Sequence, residues 1–184
     1  MTIEEFLAFT DTRPQEERWE LIEGVPFMNP SPVRMHQLIA VNISAFLLNE
    51  KERLGAAWLP MLGVGTEVPI SPKSLPQPDV YVQAGGEADM SRVTADALVI
   101  FEVMSRSNTK ADQAWRRRVY ASVPNCRHYV TVALESAEVT VYDHDTQWKA
   151  RTIKGLAASV DLPAIGVTVP LARIYRWTPH GQVS

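Results

Sequence analysis

The sequence has few of the features that mark specialised classes of protein. It contains one cysteine, Cys126, which excludes an internal disulfide and predicts a reducing compartment. No apolar run approaches the roughly 20 residues of a membrane-spanning helix, and residues 1–5 carry no signal-peptide pattern. We therefore expect a cytoplasmic protein that does not enter a membrane.

The sequence also has no excess of positive charge. The 184 residues include 18 Lys and Arg against 21 Asp and Glu, for a formal net charge of −3. This balance excludes a protein that binds polyanions through a surface covered with Lys and Arg, but it leaves room for a local basic patch. The remaining composition is that of an ordinary globular protein, with 46% hydrophobic and 21% charged residues. We expect one domain over residues 1–184.

Apolar periodicity predicts that helices and strands follow one another along the chain. Thr2 and Glu5 form a capping-box pattern at the start of a short helix. Glu23-Gly24 lies between two strand-like runs and predicts a hairpin. Further helices are expected over 33–53 and 110–122, strands over 55–59, 63–70, 79–82, 97–104, 128–134, 139–142 and 148–153, and a mobile loop over 84–96. This order indicates an α/β or α+β fold, with a mixed central sheet flanked by helices and an additional N-terminal hairpin.

Two acidic residues stand out because each lies in or beside an apolar, β-rich run. Asp79 precedes Val80-Tyr81-Val82, and Glu102 lies within the run 97–104. An ionised carboxylate in apolar surroundings is costly unless a cation pairs with it. Mg²⁺ prefers oxygen ligands and needs only one or two protein carboxylates. The pair therefore predicts a divalent-metal site; the alternatives are that Asp79 is a turn residue and that Glu102 pairs with an arginine or faces solvent.

The helix expected after Glu102 presents three polar residues on one face, because they recur every four positions: Asp112, Arg116 and Tyr120. Other basic residues in and near this helix are Arg106, Lys110, Arg117 and Arg118. One interpretation is that Arg116 is aimed at a phosphate held by the metal. The alternative is a solvated helix face with a weak ion pair between Asp112 and Arg116.

Together these residues resemble the PD-(D/E)XK nucleases and, more narrowly, the Uma-type restriction endonuclease family of bacteria. The resemblance covers nearly the whole chain. It rests on the order and spacing of 19–24, Ser31-Pro32 with His36, Pro78-Asp79-Val80, 102–105, the Asp112, Arg116 and Tyr120 face, and 123–130. It implies a restriction-endonuclease-like fold and an endonuclease that hydrolyses phosphodiester bonds in DNA. It also implies that Asp79 and Glu102 bind Mg²⁺ or Mn²⁺.

The resemblance gives roles to two further residues. Glu20 would complete the metal site or orient its water, and His36 would contact a phosphate or a metal ligand. Without the resemblance, Glu20 is as readily a hairpin acid facing water, and His36 is a surface or capping histidine. A homodimer is a further expectation, because cutting both strands of a duplex needs two active sites.

The sequence departs from the family pattern at its basic residue. The nuclease pattern has a lysine two positions after the acid, and here that position is occupied by Met104. The basic residue of the following helix is usually a lysine in the family, and here it is Arg116. Arginine keeps the charge but does not readily accept a proton. A second interpretation is therefore a weak or inactive nuclease-fold protein that binds nucleic acid or a protein partner. A third is a metal-assisted hydrolase of another phosphoester.

Overall fold

A computed structural model of the chain describes residues 1–85, 87–105 and 108–181. Its first elements are helix α1 (Ile3–Asp11) and the hairpin strands β1 (Arg18–Ile22) and β2 (Val25–Asn29). The predicted capping box is confirmed, since Thr2 and Glu5 exchange side-chain to backbone hydrogen bonds. The hairpin is also confirmed: Glu23 and Gly24 have φ angles of 49° and 81°, as in the turns that match the twist of paired strands.

The middle of the chain contains one long helix and five short strands. These are α2 (Arg34–Leu54), β3 (Leu59–Leu62), β4 (Gly65–Thr66), β5 (Val80–Gln83), β6 (Val93–Thr94) and β7 (Val99–Met104). The strand expected from residue 55 begins only at Leu59, because Gly55 ends α2 in a left-handed conformation. The strand expected over 63–70 is reduced to β4, and the loop expected over 84–96 contains β6, which pairs in parallel with β4.

The last third follows the predicted order closely. Its elements are α3 (Lys110–Tyr120), β8 (His128–Ala133), β9 (Glu138–Asp143), β10 (Ala150–Lys154), β11 (Ser159–Leu162), β12 (Val167–Pro170) and α4 (Leu171–Ile174). Thr109 caps α3 by accepting a hydrogen bond from the backbone N–H of Asp112. Arg106, the basic residue expected near this helix, lies outside the described residues.

The core is a six-stranded mixed sheet in the order β10-β9-β8-β7-β5-β3. Strands β7 and β8 are parallel and joined through α3, whereas the other neighbours are antiparallel. Val99, Phe101 and Val103 of β7 pack on the side of α2, and Ile100 packs on the side of α3. The α/β fold with a mixed central sheet flanked by helices is therefore confirmed. Alternation along β7 directs Glu102 to the α3 side.

Among the described residues, no helix has both the length and the apolar character needed to cross a bilayer. The organisation as one domain over 1–184 stays a prediction.

Candidate functional site

Asp79 and Glu102 meet because their strands are antiparallel neighbours. Val80 pairs with Phe101, so the start of β5 lies beside the middle of β7, next to Glu102. The Asp79 carboxylate continues the contact beyond the strand, since its Oδ2 accepts a hydrogen bond of 2.8 Å from the backbone N–H of Val103. Asp79 is therefore more than a turn residue: its side chain is tied to the strand that carries Glu102.

Arg116 lies inside the molecule and forms ion pairs with two buried acids. Its side chain reaches from α3 to Glu102 (Nη1 to Oε1, 3.0 Å) and to Glu20 (Nη1 to Oε1, 3.1 Å; Nη2 to Oε2, 2.7 Å). Its Nε also donates to Asp112 at 3.3 Å. Arg116 is only 7% exposed, so the interpretation of a solvated helix face is wrong for this residue. Within the described part of the chain, these four bonds leave one of the five guanidinium N–H groups without a partner.

Tyr120 completes the predicted helix face. Its hydroxyl donates a hydrogen bond of 2.8 Å to Oε1 of Glu102, the same oxygen that Arg116 contacts. The other oxygen, Oε2, has no hydrogen-bond partner within the described part of the chain. The two side chains of α3 therefore fix the Glu102 carboxylate and leave one of its oxygens available.

Glu20 reaches the site because the N-terminal hairpin packs on the segment before Asp79. Leu21 of β1 and Leu75 exchange backbone hydrogen bonds and share an apolar cluster with Phe6. Glu20 is 2% exposed and accepts hydrogen bonds from the Asn29 side chain and the Gln77 backbone N–H. The interpretation of a hairpin acid facing water is therefore wrong.

The acids of the site differ in proton affinity. Burial raises the pKa of Glu102 to about 8, and the charges of Asp79 and Glu20 act in the same direction, while Arg116 opposes them. Burial also acts to raise the pKa of Glu20, but the charge and hydrogen bonds of Arg116 outweigh it and hold this pKa below its usual range. Arg116 therefore stabilises the ionised form of Glu20 more effectively than the ionised form of Glu102.

Negative charge exceeds positive charge in this cluster. Four carboxylates, those of Glu20, Asp79, Glu102 and Asp112, surround the one guanidinium of Arg116. When all four are ionised, three negative charges remain uncompensated by arginine. A raised pKa at Glu102 is the expected consequence, since a proton there removes one of them.

His36 faces Asp79 from the first turn of α2. Its Nε2 lies 3.2 Å from Oδ2 of Asp79, and its side chain is 12% exposed. Its Nδ1 is buried and has no hydrogen-bond partner among the described residues. The interpretation of a surface histidine is thus wrong, and a contact with a predicted metal ligand is observed.

Two cavities meet at this cluster. The smaller, of about 570 Å³, is lined by Glu20, Glu102 and Arg116. The larger, of about 760 Å³, extends from the cluster towards α1 and Trp19. Four residues line both cavities: Arg18, His36, Gln77 and Asp79. Asp79 is therefore accessible from two sides.

Arg18 is a site residue that the sequence reasoning missed. It lies two positions before Glu20 in β1, so both side chains point to the same face of the hairpin. Unlike that of Arg116, its side chain has no ion pair or hydrogen bond with another residue that the structure describes. The signal that could have found it is this i, i+2 spacing, once Glu20 was taken as a site residue.

The donor set suits a hard divalent cation. Asp79 Oδ1 and Glu102 Oε2 are carboxylate oxygens with no hydrogen-bond partner among residues 1–85, 87–105 and 108–181, and the surrounding charge is negative. The same residues contain no group of three or more His, Cys, Asp or Glu side chains that could hold a metal. Two carboxylates are nevertheless sufficient for Mg²⁺, which keeps several of its waters. The residues therefore fit such an ion.

Known proteins resemble this chain in fold and in sequence. A search of curated proteins finds no match. The chain is similar to a crystal structure described as a putative nuclease belonging to DUF820 from Anabaena variabilis, with a TM-score of 0.75 and 15% identity over 96% of this chain and 98% of that one. This likeness shows a shared fold, with a mixed central sheet flanked by helices. The sequence model of the Uma2 family, described as "Putative restriction endonuclease", matches residues 3–172. Because the match covers most of its length, the chain belongs to the Uma2 family.

Proposed function

We propose that the protein is a metal-dependent endonuclease that hydrolyses phosphodiester bonds in DNA. Family membership supports a nuclease, and one observation carries the finer proposal. Asp79 and Glu102 lie together in an accessible cluster with an excess of negative charge, and each keeps an oxygen without a described hydrogen-bond partner. These two residues would hold Mg²⁺ or Mn²⁺, which when bound supplies a Lewis acid that activates water and stabilises charge on the phosphate.

The other residues of the cluster support these two carboxylates. Arg116 and Tyr120 hold Glu102 in one orientation, and Glu20 holds Arg116 through both of its carboxylate oxygens. His36 contacts Asp79 where the two cavities meet. In this proposal Glu20 and His36 position the metal ligands. A contact between Arg116 and the phosphate stays a prediction, and it would use the one N–H group that the acids leave free.

One observation favours a second candidate function. Arg116 occupies the family's basic position, and a guanidinium that is ion-paired with two acids does not accept a proton. The protein would then be a nuclease-fold protein with weak or no catalysis that binds nucleic acid or a protein partner. Hydrolysis of another phosphoester remains a third candidate, which competition between small phosphoesters and DNA separates from the first.

Cleavage of supercoiled plasmid tests the first proposal against the second. We expect nicking or linearisation with Mg²⁺ or Mn²⁺, none in EDTA, and loss of at least about 100-fold in rate in Asp79→Asn and Glu102→Gln. Asp145→Asn is the matched control, because the Asp145 side chain is 90% exposed and follows β9 at the end of the sheet where β7 begins. Silence of the wild type, with cleavage by Arg116→Lys, supports the inactive-scaffold function. Equal activity in wild type and Asp79→Asn contradicts the proposed site.

A further inference from the structure

Arg18 differs from the other cations that line the two cavities. Arg13 pairs with Glu17 at 3.1 Å, and Arg92 pairs with Asp11 at 2.7 Å. Arg116 is occupied by the buried acids described above. Among the described cavity-lining residues, Arg18 is therefore the cation without an acidic partner, and it lies where the two cavities join.

An arginine without an acidic partner can bind an anion. Beside the carboxylate cluster, it would hold an anion that the carboxylates alone would repel. A guanidinium binds phosphate through two parallel N–H bonds. A phosphate on Arg18 would lie next to Asp79, because both residues line both cavities. The position is therefore suited to a substrate phosphate that neighbours the one beside the metal ligands.

The larger cavity has the size and lining of a site for a flat, partly polar ring. Its volume of about 760 Å³ lies within the range of small-molecule sites. Apolar side chains of α1 and β1 line one part, including Phe6, Leu7 and Trp19. The amide side chains of Gln15, Gln37 and Gln77 also line it, together with the ion pairs that Arg13 and Arg92 form with acids. Amides pair with the edges of nucleobases, and apolar or aromatic groups contact their faces.

We propose that Arg18 and this cavity form a nucleotide subsite: Arg18 binds a phosphate adjacent to the one that is cut, and the cavity receives the attached nucleobase. The inference rests on the proposed nuclease function, since it orients a strand across Asp79. A base in the cavity cannot remain stacked and paired in a duplex. The preferred substrate is therefore single-stranded DNA, or a duplex with an unpaired nucleotide.

Equilibrium binding tests the subsite apart from catalysis. Fluorescence anisotropy with a labelled single-stranded oligonucleotide in Ca²⁺ is compared for wild type, Arg18→Gln, Arg18→Lys and Arg53→Gln. We expect Arg18→Gln to weaken binding at least about tenfold, because a charge-assisted phosphate contact is lost, and Arg18→Lys to restore part of it. Arg53→Gln is the matched control, because Arg53 is an exposed arginine that pairs with Glu50 and lines neither cavity.

The base pocket has its own readout. Scanning a single abasic position along the oligonucleotide should reveal one position at which loss of the base weakens wild-type binding at least about fivefold. A fully paired duplex should bind more weakly than the single strand. In Arg18→Gln the abasic effect should shrink, because the phosphate no longer fixes the strand. Thermal unfolding checks that each variant folds.

The outcomes separate this inference from the proposed function. Arg18-dependent binding without cleavage in any metal refutes the nuclease and leaves the subsite. Asp79-dependent cleavage refutes the subsite and leaves the nuclease if binding is unchanged in Arg18→Gln, or if Arg18→Gln and Arg53→Gln lose equal affinity. A wild type that does not bind the oligonucleotide, or an abasic scan without effect at every position, also overturns the subsite.

Discussion

At the scale of single residues, the site depends on how one guanidinium is divided among several acids. Glu20 accepts two hydrogen bonds from Arg116 and has a lowered pKa, whereas Glu102 accepts one and has a raised pKa. The arginine thus stabilises the hairpin acid as a charge and leaves Glu102 short of compensation. A divalent cation at Glu102 would supply what is missing.

Glu102 makes metal-free stability depend on pH. Its pKa is raised to about 8, so between its ordinary value near 4.5 and pH 8 the native protein keeps a proton that the unfolded chain has lost. The native state is therefore favoured less and less as pH rises through this window. Glu102→Gln imitates the protonated form and should remove this loss, which amounts to a few kcal/mol at most. Urea unfolding in EDTA at pH 5, 6.5 and 8 measures it; parallel stability profiles for the two proteins contradict the shift.

Arg116 is predicted to be essential for stability as well as for the site. Arg116→Met leaves Glu20 and Glu102 buried without their cation, and we expect a loss of about 3–5 kcal/mol in the free energy of unfolding. Arg118→Met, an exposed position on the same helix, should cost less than about 0.5 kcal/mol. Denaturant unfolding compares the two, and equal losses would mean that the buried ion pairs contribute little.

At the scale of elements, the N-terminal hairpin delivers Arg18 and Glu20 to the sheet. Its turn depends on Gly24, whose φ is 81° and whose added Cβ would lie 3.2 Å from the backbone nitrogen of Met1. Gly24 also donates its N–H to Lys73 at 2.7 Å, in the segment that leads to Asp79. The turn of the hairpin is therefore connected by hydrogen bonding to the segment that carries Asp79, a proposed metal ligand.

Gly24→Ala should disturb this connection. We expect a loss of about 1–2 kcal/mol, because alanine is strained at positive φ and its methyl group is crowded. Gly85→Ala is the control, since an added Cβ there meets no heavy atom within 4 Å. Thermal unfolding of both variants provides the measurement, and a stable Gly24→Ala protein would show that the turn tolerates another geometry.

The sequence predicted the secondary-structure elements better than the tertiary contacts between them. Local periodicity was enough to predict the capping box, the hairpin, α2, α3 and the shared face of Asp112, Arg116 and Tyr120. Pairing of Arg116 with Glu20 and of His36 with Asp79 joins residues far apart in sequence, so it depends on how the hairpin and α2 pack. Short strands such as β4 and β6 form through tertiary pairing and have no strong local pattern.

At the scale of the whole molecule, a net charge of −3 limits the electrostatic attraction of DNA. With Arg18 as the unpaired cation among the described residues of the cavities, few counterions are released on binding. A plot of the logarithm of the affinity for single-stranded DNA against the logarithm of the salt concentration should therefore have a slope shallower than about −2. Anisotropy titrations at several salt concentrations measure this slope, and a value steeper than about −5 would require an extended basic surface.

The homodimer also stays a prediction, which light scattering can test.

Metal binding by Asp79 and Glu102 is the central claim, and isothermal titration of Mn²⁺ tests it most directly. The wild type should bind one ion, Asp79→Asn and Glu102→Gln should weaken that binding at least about tenfold, and Asp145→Asn should match the wild type. Wild-type affinity in both site variants, or no saturable binding by the wild type, would contradict the claim.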